Sequence, residues 1–185
     1  MERTSEMREL SLHILDIVQN SIAAGASTVT VTVNEETAED RLTFSIADDG
    51  RGMDEETIAK VTDPFYTTRT TRKVGLGLPM LKDTSTSCNG SFAIDSKVGE
   101  GTTVTASYQH SHIDRPPLGD MASTMLTILL GNEEINIRYD HMKDSQSFSF
   151  ESREMKEVLE GLSFQNPDVY KWLKEYLAEG ESGLG

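Results

Sequence analysis

HILDIVQNSIAAGAS, residues 13–27, spaces its apolar residues like a helix but carries His13, Asp16 and Asn20 among them. At 100° per residue, Leu10, Ile14, Ile17, Val18, Ser21 and Ile22 gather on one side. Glu9, His13, Asp16 and Asn20 fall within an arc of roughly 60° on another. Taken alone, that arc reads as a solvated face. What changes the reading lies elsewhere in the chain.

After this helix, ASTVTVTVN alternates valine with threonine, the pattern of a half-buried strand. LTFSIADD alternates again, so the two predict a hairpin with a long loop. MDEETIAKV reads as a short helix with Asp54 as its N-cap. Residues 62–76, TDPFYTTRTTRKVGL, show no period and hold three cations, the reading of a mobile loop. GLPMLKDTSTSC predicts a helix stopped at Asn89-Gly90, and SFAIDSK, VGEG and TTVTASYQ a second hairpin. HIDRPPLG reads as a linker. Beyond it the pattern is helix, two strands and two helices, the last with Asn166 as N-cap, Pro167 in its first turn and a disordered tail EGESGLG. The expected division is therefore a domain over 1–110, a linker over 111–118 and a C-terminal α/β extension over 119–185.

The 185 residues suffice for one well-cored domain, and a formal charge of −14 argues against nucleic-acid or anionic-lipid partners. The single cysteine, Cys88, excludes an intrachain disulfide and fits a reducing compartment. No apolar run approaches a membrane span, and MERTSEMREL lacks the apolar core of a signal peptide, so a cytoplasmic protein is expected.

Four polar or glycine-rich islands interrupt the first 110 residues: Asp16 with Asn20, DDGRGM, the cationic loop into GLGL, and GEGTT. Each alone also reads as a turn or a helix start. Their order is what resembles the GHKL superfamily of ATP-binding proteins, from about residue 8 to residue 107. DIVQNSIAAGAS is similar to the mismatch-repair form, DPFYTTR followed by GLGL to a histidine kinase. No GxxxxGK[ST] occurs, so a P-loop has no support. The resemblance implies an α/β fold, a two-layer α+β sandwich whose mixed, mainly antiparallel sheet carries helices on one face (the Bergerat type). ATP would lie between the helices and a lid.

On this resemblance Asn20 is a Mg2+ ligand, in keeping with a hard cation's preference for oxygen. Asp16, one turn earlier, stands where relatives that hydrolyse ATP carry a glutamate that activates water. It is one methylene shorter, which bears on hydrolysis more than on binding. Glu9 lies roughly 16 Å along the helix from Asn20 and does not replace it. His13 flanks Asp16 and reads as a surface or supporting residue.

Asp48 is implied as the acceptor of the adenine amino group, with Gly50 and Gly52 letting the backbone approach the nucleotide and Asp49 a turn residue. Thr102 and Thr103 match the glycine-threonine box, where a hydroxyl braces that aspartate. Phe65 matches the aromatic that opens the lid, and Arg69 and Lys73 give the lid positive charge. Gly75, Leu76 and Gly77 form the phosphate cradle at a helix start. The cofactors implied are ATP and Mg2+. The function expected is a kinase-type catalytic subunit for a separate protein partner, a phosphoacceptor or regulated protein. An ATPase conformational switch or a nucleotide-binding regulator without turnover is the alternative, and a homodimer is a further option. None of the four histidines has the helical setting of a phosphoacceptor.

Overall fold

The computed structural model describes residues 8–63, 65 and 77–185. Helix α1 (Leu10–Ala23) buries Leu10, Ile14, Ile17 and Val18, the face that its period predicts. No side chain caps its start. Instead the amides of Leu10 and Ser11 donate to the carbonyls of Pro117 and Leu118, at 2.9 and 2.8 Å. The proline segment thus satisfies amides that a helix start leaves orphaned. Arg51 closes the other end, its amide donating to the Ala24 carbonyl and its guanidinium to that of Ala23.

Strands β1 (Thr28–Glu36) and β2 (Arg41–Asp48) form the expected hairpin, with Val31 opposite Ile46 and Val33 opposite Phe44. Helix α2 (Glu55–Val61) starts on Asp54, whose carboxylate accepts from the Thr57 amide at 2.8 Å. Helix α3 (Gly77–Ser87) ends before Asn89, which takes the left-handed conformation. Strands β3 (Ser91–Lys97) and β4 (Gly101–Gln109) make the second hairpin. Beyond the prolines come α4 (Met121–Gly131), β5 (Asn136–Lys143), β6 (Gln146–Glu151), α5 (Ser152–Val158) and α6 (Pro167–Ser182).

Among the described residues six strands form one sheet, ordered β3-β4-β2-β1-β5-β6. Only the β1–β5 pair is parallel. This is the mixed, mainly antiparallel sheet expected. Val29, Val31 and Val33 of β1 and Leu42, Phe44 and Ile46 of β2 point to the helix-covered face. Val104, Ala106 and Tyr108 of β4 and Ile137 and Tyr139 of β5 join them there. The alternate positions (Thr30, Thr32, Thr43, Ser45, Thr105, Ser107) are only half-buried. Residues 119–185 continue this sheet through β5 and β6 and add α4 and α6 to its helical layer.

The tail read as disordered is instead packed. Helix α6 runs through Ser182, and Leu184 is buried. Gly180, which reads as a breaker, is a notch: a Cβ there would lie 2.3 Å from the Phe148 ring. The helix continues because the ring fills the space that a side chain would need.

Candidate functional site

A cavity of about 520 Å3 opens between α1, α2, the start of α3 and the tip of the β3–β4 hairpin. Its walls are mainly apolar, with Ile17, Met53, Val61, Leu78, Val98 and Val104 around a few polar groups. That mixture suits a flat, partly apolar ligand with a few polar edges.

Asp48 ends β2 at the cavity wall, opposite Thr102 of β4. Its Oδ2 accepts from the Ser21 hydroxyl at 2.6 Å and its Oδ1 from the Gly50 amide at 2.8 Å. Two donors fix the plane of the carboxylate and leave further lone-pair capacity. The hydroxyl that braces Asp48 therefore comes from α1, where a threonine of β4 was expected. The Thr102 hydroxyl lines the cavity but bonds to Ser96 Oγ at 2.7 Å, and Ser96 Oγ accepts from the Met53 amide. Thr103 points away, because alternation along β4 puts it on the open face of the sheet with Thr105. Asp49 is the expected turn residue, accepting from the amides of Ser27 and Thr28 and from the Ser27 hydroxyl. Those bonds, the Ser27 hydroxyl first, hold its carboxyl below the usual range.

Gly52 lines the cavity, but its missing side chain makes room for the chain itself. With φ at 72°, a Cβ there would come within 2.0 Å of the Lys97 carbonyl. The glycine docks the turn against the second hairpin, a role different from the nucleotide approach expected of it. Gly50 sits beside the Asp48 carboxylate that it holds.

Asn20 lines the cavity one turn beyond Asp16 on α1. Asp16 stands beside the amino end of α3, where a Cβ on Gly77 would lie 3.9 Å from the Asp16 Cβ. Asp16 Oδ2 pairs with Arg8 Nη2 at 3.0 Å, with both side chains part-exposed. His13, read as a surface or supporting residue, is buried, with 2% exposure, and its Nδ1 has no hydrogen-bond partner. Burial first, then the Arg8 charge, hold this imidazole below its ordinary range, against the pull of Asp16.

Phe65 is 84% exposed and does not line the cavity, and its amide donates to Asp63 Oδ1. Arg69, Lys73, Gly75 and Leu76 lie outside the described residues, as does most of the expected loop over 62–76. The structure thus brings Asn20, Asp48, Gly52 and Thr102 to one cavity, with Gly50 against Asp48 and with Asp16 beside Gly77. Sequence reasoning missed Ser21, Met53, Arg51 and Ser96. Ser21 had one signal, as the lone hydroxyl on an otherwise apolar face. The others come from tertiary placement, for which the sequence holds no local sign.

Residues 7–112, more than half of the chain, match the family model described as histidine kinase-, DNA gyrase B- and HSP90-like ATPase. The non-motile and phage-resistance protein of Caulobacter vibrioides is 30% identical over 123 residues, covering 62% of this chain and 15% of that protein. Sensor histidine kinase WalK of Bacillus subtilis is 35% identical over 97 residues, covering 50% of this chain and 16% of that one. The chain thus spans only a small part of the length of these relatives. Among solved structures, the N-terminal domain of a DNA repair protein superposes with a TM-score of 0.48 at 16% identity, over 77% of this chain and 52% of that one. No helix among the described residues is long and apolar enough to cross a membrane.

Proposed function

The chain belongs to the histidine kinase-, DNA gyrase B- and HSP90-like ATPase family, and on that premise we propose that it binds Mg-ATP in this cavity as a kinase-type catalytic subunit for a separate protein. The observation that carries the nucleotide reading is the Asp48 carboxylate, fixed at the wall of an apolar cavity by Ser21 and Gly50. Held in that plane, it is suited to accept from the exocyclic amino group of adenine. Guanine would set a carbonyl oxygen against the same carboxylate, so the site selects the base by charge as well as by shape.

Asn20 supplies one neutral oxygen, which suits Mg2+, an ion that takes most of its ligands from phosphates and water. Bound there, the ion would neutralise phosphate charge in a chain that carries −14 of its own. The amino end of α3, at Gly77, would offer backbone amides to the phosphates. Asp16, beside Gly77, would be the proton acceptor.

A separate phosphoacceptor fits the surroundings of the histidines. His13 and His141 are buried, His110 is engaged with Glu35 at 2.9 Å, and His112 Nδ1 accepts from the Asp114 amide at 3.1 Å. A protein partner would then supply the receiving side chain. Of the alternatives, an ATPase conformational switch or a nucleotide-binding regulator without turnover, the pairing of Asp16 with Arg8 favours the regulator.

Calorimetry tests the nucleotide claim. The wild type should prefer Mg-ATP to Mg-GTP, and Asp48→Asn should weaken ATP by more than about tenfold. Equal affinity for the two nucleotides in the wild type would defeat it. Transfer of radiolabel from the γ-phosphate to a protein captured from the native cell separates the kinase from the switch.

A further inference from the structure

We infer that Arg8 is a positioning residue that restrains Asp16, so that the site keeps ATP for transfer and spends little of it on water. The inference rests on the nucleotide reading of the cavity and extends it to a residue outside the motifs. A water-activating carboxylate must present a free oxygen to the water whose proton it accepts. One of the two Asp16 oxygens is already occupied by the Arg8 guanidinium at 3.0 Å, a charge-assisted bond. Arg8 precedes α1, whose start is fixed by the Pro117 and Leu118 carbonyls. The backbone beside it is therefore anchored to the proline segment. Asp16 stands beside the amino end of α3, where a Cβ on Gly77 would lie 3.9 Å from the Asp16 Cβ, and one turn from Asn20. Asn20, one turn beyond Asp16 on α1, lines the cavity, so the guanidinium would stand toward the phosphates of a nucleotide held by Asp48.

Beneath the pair, His13 cannot take over as a second base. It is 2% exposed, its Nδ1 is without a partner, and it lies in a setting that disfavours its charged form. Asp16 is the acceptor that remains, and Arg8 is the group that controls it.

The test uses the full chain with Arg8→Ala, Arg8→Lys, Asp16→Asn and the Arg8→Ala/Asp16→Asn double variant. Arg8→Ala should raise phosphate release at saturating Mg-ATP by about tenfold, with KM changed less than about twofold. Arg8→Lys should stay near wild type, because it keeps the charge. The double variant should release phosphate no faster than Asp16→Asn alone. An independent readout needs no nucleotide: the NMR titration of His13 should move upward in Arg8→Ala and hold in Arg8→Lys. A rate in Arg8→Ala that is unchanged or lower, a gain that persists in the double variant, or an unmoved His13 titration would each overturn the role of Arg8. A wild type that binds no ATP by calorimetry would remove the nucleotide reading itself, and this inference with it.

Discussion

A carboxylate that must recognise a flat base cannot be free to rotate, and Asp48 is held by donors on two different elements, Ser21 of α1 and the amide of Gly50. Ser21→Ala removes one of them and leaves the fold's apolar contacts in place. ATP affinity should fall about tenfold, since a hydrogen bond to a charged group contributes roughly 1.5–3 kcal/mol. Calorimetry on the variant checks this, and an unchanged affinity would mean that Gly50 alone fixes the plane. At this scale the sequence is legible where a residue acts through its neighbours along the chain. Asp54 and Asn166 cap the helices that follow them. Ser21 and Asp48 are 27 residues apart, and nothing local joins them. Thr103 is misplaced by the same blindness. A run of two threonines does not say which one faces the cavity until the register with β2 is set.

Elements whose apolar period is unbroken are where sequence and structure agree best. The face of α1, the alternation of β1 and β2, and the two hairpins all follow from residue spacing alone. The end of α6 is different, because two glycines and three glutamates between residues 175 and 183 give no apolar stripe to follow. What holds it is shape. The Phe148 ring, itself packed against Tyr139, Phe150 and Tyr176, occupies the notch at Gly180. Gly180→Ala, which ought to favour a helix by propensity, should instead destabilise the protein by about 1–3 kcal/mol, because the ring it would displace is packed against three other aromatics. Thermal unfolding decides it. A rise in Tm would show that the aromatic cluster can shift.

Across the whole molecule, one buried polar group ties the helical layer to the sheet. Glu35 of β1 lies in line with Val29, Val31 and Val33 and is buried with them. His141 of β5 sits between two carboxylates, its Nε2 at 2.7 Å from Glu35 and its Nδ1 at 2.9 Å from Glu181 of α6. The Tyr139 hydroxyl donates to Glu181, and His110, beyond β4, reaches the other Glu35 oxygen. Burial opposes charge on His141, but its hydrogen bonds to Glu181 and Glu35 prevail and raise its pKa from 6.5 to about 9. The His141 hydrogen bond, against burial, lowers Glu35 from 4.5 to about 2, with His110 and Lys143 adding to the effect. The signs follow. The raised histidine stabilises fully below pH 6.5 and loses that contribution as pH rises toward 9. The lowered carboxyl stabilises above pH 4.5 and loses its contribution as pH falls toward 2. Tm should therefore fall between pH 6.5 and 9, and His141→Gln should flatten that limb of the profile. A wild-type Tm constant over that range would mean that His141 is held neutral. The parallel pairing of β1 with β5 sets a condition of another kind, one of timing. Thr28 lies beside Asn136 and Glu35 beside Lys143, so the middle of the sheet closes on a strand made long after its partner. On the ribosome, everything through β4 emerges with one flank of β1 bare, an open edge flanked by valines. Such distant pairing is slow to form, so β1 waits with that edge open until its last neighbour is made.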